Sequence, residues 1–297
     1  MKILKRIPSS ELILHPDGSI YHLNIRPENL AQTVILVGDP QRVDLITGYF
    51  GKIEFKAENR EIRTQTGYFG KKRITVMSTG MGTDNIDIVI NELDALVNID
   101  LETRTEKEQH SKLNIFRIGT SGALQPDIPL NSMVLSEYGL GLDGVMRFYK
   151  DFEKVEEKEL GDAFVSHANW LPSLPKPYAA SASEKLRMIF GNHIMSGITA
   201  TAPGFYAPQG RQLRLSLAFP NLTDILESFE FRGKKILNFE METSALYGLS
   251  KLLGHHALTL CIAIANRNKH DFNQDYKRAM KELIEILLNT IDQRLPD

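Results

Sequence analysis

Two hydrophobic rhythms alternate along the chain. Short runs rich in β-branched residues give way to stretches whose apolar positions recur three and four apart, the periods of strand and helix. Thr33–Val37 is such a run; Gly38 stops it, and Pro40 opens a helical pattern over 40–50. Residues 53–69 read as strands about a hairpin, and 73–77 as a further strand. A helix is predicted over 84–97, with Ile86, Ile90, Leu93, Leu96 and Val97 on one face. A short strand over 114–118 feeds the turn-like Gly119-Thr120-Ser121-Gly122. Strands follow over 132–140, 194–201 and 236–239, then a helix over 241–253 and a fully apolar strand over 257–265. A long amphipathic helix over 272–295 carries Met280, Leu283, Ile284, Leu287 and Ile291 on one face. This alternation predicts one α/β domain over 1–297, with a largely parallel sheet and helices outside it. Two stretches break the rhythm and read as surface insertions: the charged run 101–112, and 146–177, which holds Trp170 and no clean period.

Composition narrows the class. The chain has 297 residues, is 42% hydrophobic and carries a net charge of −2. That suits a soluble enzyme and gives neither nucleic acid nor a membrane surface anything to attract. The apolar run 257–265 is far short of the roughly twenty residues of a membrane helix. The single cysteine, Cys261, excludes an internal disulfide and sits in that apolar run, so a buried, inert thiol is expected. Basic residues 1–6 lead into a polar stretch broken by Pro16, not into an apolar leader, and a cytoplasmic location is the expectation.

Three arginines stand beside strand-like segments: Arg42 in Gly-Asp-Pro-Gln-Arg, Arg60 in Asn-Arg-Glu and Arg117 in Phe-Arg-Ile-Gly-Thr. A guanidinium grips phosphate with a planar fork of donors. Gly38 and Gly119 let backbone come close to such an anion. Arg42 on the first turn of a helix adds the field of that N-terminus, and Arg117 in an apolar strand calls for a partner or ligand. The Phe205–Arg211 stretch offers an aromatic face, the Gln209 amide and the Arg211 guanidinium together. Glu240 and Glu242 stand at the mouth of the helix predicted over 241–253, where carboxylates both favour a first turn and can accept from sugar hydroxyls.

In these residues the chain resembles the nucleoside phosphorylase family of the trimeric and hexameric type, and within it the uridine phosphorylases. The motifs that carry the resemblance occur in order: His22-Leu23, Gly38-Asp39-Pro40 with Arg42, Arg60-Glu61, Ser78-Thr79-Gly80-Met81-Gly82, Arg117-Ile118-Gly119-Thr120, Phe205 with Gln209 and Arg211, and Glu240-Met241-Glu242. The resemblance implies a three-layer α/β/α fold around a mixed, mostly parallel, partly barrel-like sheet. It implies phosphate held by Gly38, Arg42, Arg60, Arg117 and Thr120, and ribose held by His22, Thr120, Glu240, Met241 and Glu242. The base would be met by Phe205, Gln209, Arg211 and Arg267, with Arg42, Arg117, Arg211 and Glu242 carrying catalysis. No organic cofactor and no catalytic metal is implied. Arg60 and His22 would be lent to a neighbouring subunit's site, so a homo-oligomer with shared sites is expected, a dimer at least, with the family's hexamer as the larger option. The implied reaction is uridine plus phosphate to uracil plus ribose 1-phosphate.

Asn266 bears on the base. Purine phosphorylases of the family carry an aspartic acid near this position to protonate the leaving purine, and asparagine cannot deliver that proton. Some uridine phosphorylases bind a monovalent cation between subunits; Glu61 matches its glutamate, but Asn85 stands where its serine would be. After Arg267, the stretch 268–271 is short for a closing flap. The rivals are a purine nucleoside phosphorylase or a nucleosidase of the same fold, and a non-catalytic nucleoside-binding homologue.

Overall fold

The computed structural model describes residues 5–191, 194–267, 269, 271–273 and 275–296. In chain order the elements are β1 (Thr33–Val37), α1 (Pro40–Thr47), β2 (Lys52–Asn59), β3 (Ile62–Phe69), β4 (Lys72–Ser78), α2 (Thr83–Asn98), β5 (Ile99–Asp100), β6 (Thr105–Glu106) and β7 (Asn114–Ala123). They continue with β8 (Met133–Gly141), α3 (Lys158–Ala168), β9 (Tyr178–Ser181), α4 (Glu184–Met188), β10 (Met195–Thr201), α5 (Leu222–Ser228), β11 (Glu230–Phe231) and β12 (Lys234–Glu240). The last four are α6 (Thr243–Leu253), β13 (His256–Asn266), β14 (Asp271–Phe272) and α7 (Lys277–Arg294).

The main sheet runs β11-β12-β10-β8-β13-β7-β1-β4-β3-β2, and β12 also pairs with β7. That extra pairing closes β7, β13, β8, β10 and β12 into a five-stranded barrel from which β1, β4, β3 and β2 extend as an open wing. The ring is mixed: β7–β13, β8–β10 and β10–β12 are parallel, while β13–β8 and β12–β7 are antiparallel. The expected three-layer α/β fold with a partly barrel-like sheet is therefore present.

Side chains alternate across the strands and sort into separate cores. Val34, Leu36 and Ile115 face α2 and α6. Ile35, Val37, Phe116 and Ile118 face α1, α4 and the apolar stripe of α7. A third core joins α3 and α5 to the barrel through Leu160, Phe164, Leu222 and Leu226. Arg117 shares the face of Ile115, so strand parity aims it toward α6. Among the described residues no helix is long and apolar enough to cross a membrane.

Three expectations need correction. β7 does not end at Ile118; it runs through Gly119–Gly122 because β13 pairs with it as far as Ala123. The turn-rich look of that stretch came from small residues in a crowded barrel. The 146–177 segment is half exposed, but it is more than a surface excursion: Met146, Phe152, Leu160 and Phe164 are buried, and α3 packs on β9 and α5. α3 does carry a helical spacing, with Leu160, Phe164 and Ala168 buried four apart, but the irregular stretches on either side obscured it. α7 begins at Lys277, whereas Phe272 belongs to β14, paired with Ala265. The 101–112 run is mostly exposed as expected, apart from the small β5–β6 pairing.

Candidate active site

The carboxyl ends of β1, β7, β12 and β13 surround a cavity of about 840 Å³. Gly38, Arg42, Glu61, Met81, Arg117, Thr120, Phe205, Gln209, Arg211, Glu240, Met241, Glu242, Asn266 and Arg267 all line it. The sequence scatters these residues over 230 positions; sheet topology brings them to one mouth.

At the β1 end, Asp39 caps α1 by accepting from the Gln41 backbone N–H at 2.9 Å. That cap fixes the turn that carries Arg42, which is 9% exposed and whose Nη1 lies 3.4 Å from the Ile118 carbonyl. Arg117 is more deeply set. Its Nη2 donates to Glu242 Oε2, and its Nη1 lies 3.4 Å from Glu240 Oε2 and 3.8 Å from Cys261 Sγ. Its Nε is buried, with almost no accessible surface, and has no protein partner. A methyl group at Gly119 would stand 2.2 Å from Arg117 Nη1, so this glycine makes room for the guanidinium itself, an addition to the anion-approach role expected of it.

Electrostatics bind this cluster together. Burial would pull Arg117 down, but Glu242 and Glu240 offset that and hold it above its ordinary value. Burial pushes the Glu242 carboxyl up; Arg117 pulls it back and Glu240 adds to the rise. Glu242 Oε1 accepts from the Gly82 N–H at 2.8 Å and Oε2 from the Met241 N–H at 3.3 Å. Cys261 is fully buried and its thiol is pushed up to about 12 by burial, as expected of an inert cysteine.

The other end of the cavity is a loop. Arg211 lies over the Phe205 ring, 3.8 Å from its centroid, and its Nη1 donates to Gln209 Oε1 at 2.6 Å and to the Phe205 carbonyl at 2.8 Å. Arg267 Nη2 donates to the Gln209 carbonyl at 3.2 Å. Burial and the neighbouring Arg267 bring Arg211 down to about 10, and burial lowers Arg267. Phe205 is 52% exposed, and Met81 and Phe272 are exposed at the same mouth.

Two expected residues do not line the cavity: His22 and Arg60. They form a separate patch, in which the Arg60 guanidinium lies 5.9 Å from the Tyr21 ring centroid and Asn59 Nδ2 donates to the His22 carbonyl. Arg60 is exposed at a left-handed φ of 54°, next to cavity-lining Glu61. His22 Nδ1 meets Glu92 Oε1 at 2.5 Å, and Glu92 also accepts from the backbone N–H groups of His22 and Leu23. Sequence reasoning missed Glu92, an unremarkable polar position on α2. It also missed Phe272, whose place at the rim was hidden by reading it as helix. Glu61 and Asn85 both approach Gly80, and no cluster of metal-binding side chains occurs among the described residues. In the expected flap, Asn268 and His270 lie outside the described residues.

Such a grouping of buried arginines and carboxylates at one end of a five-stranded barrel agrees with comparisons to known proteins. Residues 32–292 match the phosphorylase superfamily, to which this chain belongs. It is an enzyme of the pentosyltransferase class, built like the uridine phosphorylases. A uridine phosphorylase of Thermococcus kodakarensis is 31% identical over 92% of this chain and 86% of its own length. A DeoD-type purine nucleoside phosphorylase of Tolumonas auensis is 27% identical over 81% of this chain and 84% of its own. A solved nucleoside phosphorylase of Trypanosoma brucei, which shows uridine phosphorylase activity, superimposes with a TM-score of 0.84 at 30% identity, covering 95% of this chain and 99% of that one.

Proposed function

We propose that this enzyme cleaves uridine with inorganic phosphate, giving uracil and ribose 1-phosphate. The observation that carries the reading is the base end of the cavity, where Arg211, Arg267 and Gln209 converge beside Phe205. A departing pyrimidine spreads negative charge over its carbonyl oxygens, and two fixed guanidinium groups meet that charge. A phosphate oxygen attacks C1′ as the C1′–N1 bond breaks; the bonding pair leaves with the base, which then takes a proton from solvent. Gly38, Arg42, Thr120 and Arg117, which all line the cavity, receive the phosphate. Glu242, with Met241 packed below, receives the ribose hydroxyls.

His22 and Arg60 act from a neighbouring copy, whose patch completes the site in a homo-oligomer of at least two chains. Glu92 presents the His22 ring there by engaging Nδ1. The enzyme works in the cytoplasm and needs no organic cofactor. A purine substrate is the second reading, favoured by the likeness to the Tolumonas auensis protein.

The test is uracil release from uridine with and without phosphate, with inosine alongside. Phosphate-dependent turnover of uridine alone is expected. Turnover of inosine would shift the reading to purines, and release without phosphate would make the protein a nucleosidase.

A further inference from the structure

Glu240 lines the cavity, yet its carboxylate faces the protein. Its side chain is 1% exposed. Oε1 accepts from Thr201 Oγ1 at 2.7 Å and from the Thr243 N–H at 3.1 Å. Oε2 accepts from the Glu242 N–H at 3.0 Å and the Thr243 N–H at 3.0 Å, and lies 3.4 Å from Arg117 Nη1. Four donors, with the Thr243 N–H shared between the two oxygens, thus face a carboxylate that offers about four lone-pair sites. Glu242 differs: it accepts from Gly82, Met241 and Arg117, which leaves capacity for a sugar hydroxyl.

We infer that Glu240 is a positioning residue and not a ribose ligand, and that Thr201 is the tether that keeps it in place. The inference rests on the nucleoside-phosphorylase reading of this cavity but not on which base is cleaved. Three parts of the site meet on the Glu240 carboxylate. Its grip on the first N–H groups of α6 sets the backbone from which Glu242 projects. Its charge fixes one arm of Arg117, whose other arm holds Glu242. Thr201, paired with Glu240 across β10 and β12, secures Oε1 and accepts from the Ser244 N–H at 3.0 Å. Ser244 Oγ in turn donates to half-buried Asp143 at 3.1 Å, so the tether is anchored on the far side as well. The phosphate-facing arginine and the sugar-facing glutamate thus share one support.

That shared support separates a positioning role from a ligand role. A sugar ligand affects the nucleoside alone; a support for Arg117 and Glu242 affects both substrates. Thr201 is fully buried and does not line the cavity, and valine has nearly its shape without the hydroxyl. In Thr201→Val, kcat is expected to fall about tenfold while KM rises for phosphate and nucleoside together, and Thr201→Ser should return both near wild type. Glu240→Gln should do the same more strongly, by about a hundredfold in kcat/KM for each substrate. Circular dichroism and thermal melts of each variant report whether it is folded. A Glu240→Gln loss confined to the nucleoside KM, and larger for the ribonucleoside than for its 2′-deoxy analogue, would make Glu240 a direct ligand. Wild-type kinetics in Thr201→Val would remove the tether. The assays use whichever base the wild-type enzyme cleaves, so failure of the uridine reading appears in the wild-type control and failure of this inference in the variant ratios.

Discussion

The two ends of the cavity are built differently. The end proposed for phosphate and sugar is carved into the barrel: Arg117, Glu240 and Glu242 are each under 5% exposed and bonded to one another across β7, β12 and the start of α6. The base end hangs from a loop in which Phe205 and Tyr206 are more than half exposed and Arg211 is held by a ring, an amide and a carbonyl. Activating phosphate and gripping ribose is the same task whatever the base, and it sits where backbone geometry is stiffest. In the proposed reading, discrimination between bases sits on a segment that can change without disturbing the sheet. Such a division is consistent with relatives named for uridine and for purine nucleosides both aligning along most of this chain.

The sharpest way to break this contrast is to remove Arg117. Arg117→Met leaves two buried carboxylates facing each other without a cation, which should cost about 3–5 kcal/mol of stability together with nearly all activity. In the background of Glu242→Gln the same change should cost less than the sum of the two single variants, because one of the stranded charges is gone. Urea melts of the four proteins test this; strict additivity would mean the cluster is not one energetic unit.

At the base end the effect should be chemical and not structural. Arg211→Ala is expected to lower uridine kcat/KM by about 10²–10³-fold, the scale of losing one charge-stabilising donor, while the melting temperature stays within a few degrees. Full uridine turnover in this variant would remove Arg211 from the reaction. A melting loss as large as that of Arg117→Met would erase the distinction between the two ends.

The His22–Arg60 patch adds a smaller, geometric test. Arg60→Ala and Arg211→Ala should each be weak alone, yet mixing them after dissociation should restore activity. If Arg60 serves a neighbour's cavity, a mixed dimer holds one site with both arginines intact, and random reassortment yields about a quarter of wild-type activity. No gain on mixing would keep Arg60 out of shared catalysis.

Legibility followed the same division. The strands and the larger helices of the barrel were readable because their periods are long and apolar, Arg42 and the two glutamates because helix starts announce themselves locally, and Arg117 because a charge inside an apolar strand calls for a partner, although β7 continues past it. The extension of β7 through Gly119–Gly122 was not, since a glycine that clears space for a guanidinium looks in sequence like a glycine in a turn. The buried face within 146–177 was hidden because its helical spacing, Leu160, Phe164 and Ala168, is confined to α3. Glu240 and Glu242 look alike as letters two apart; only the partners of each oxygen separate support from ligand.

Asn266 offers the finest test, because the sequence argument and the structure assign it different work. Its type argues against a proton donor for purines, as if the side chain faced the base. In the structure both donors of its amide are directed at backbone carbonyls, Gln125 at 3.0 Å and Ile128 at 2.9 Å, and its Oδ1 accepts from the Lys269 N–H at 3.1 Å. Asn266 therefore ties the end of β13 to the loop after β7, and in doing so sets where Arg267 stands. Asn266→Asp should not create a purine phosphorylase. The introduced carboxylate would face two carbonyl oxygens with no proton to offer them, at a cost of about 1–3 kcal/mol. Repulsion disfavours its charged form in the folded state, so its folded pKa lies above the unfolded value of about 3.9. The sign follows: below that unfolded value the acid is protonated and can donate to one carbonyl, and as pH rises through the folded pKa that support is lost. The melting deficit against wild type should thus be smallest near pH 4, widen toward neutrality and then level off, with inosine turnover still absent. A pH-independent deficit, or the appearance of inosine cleavage, would mean that the residue faces the base after all.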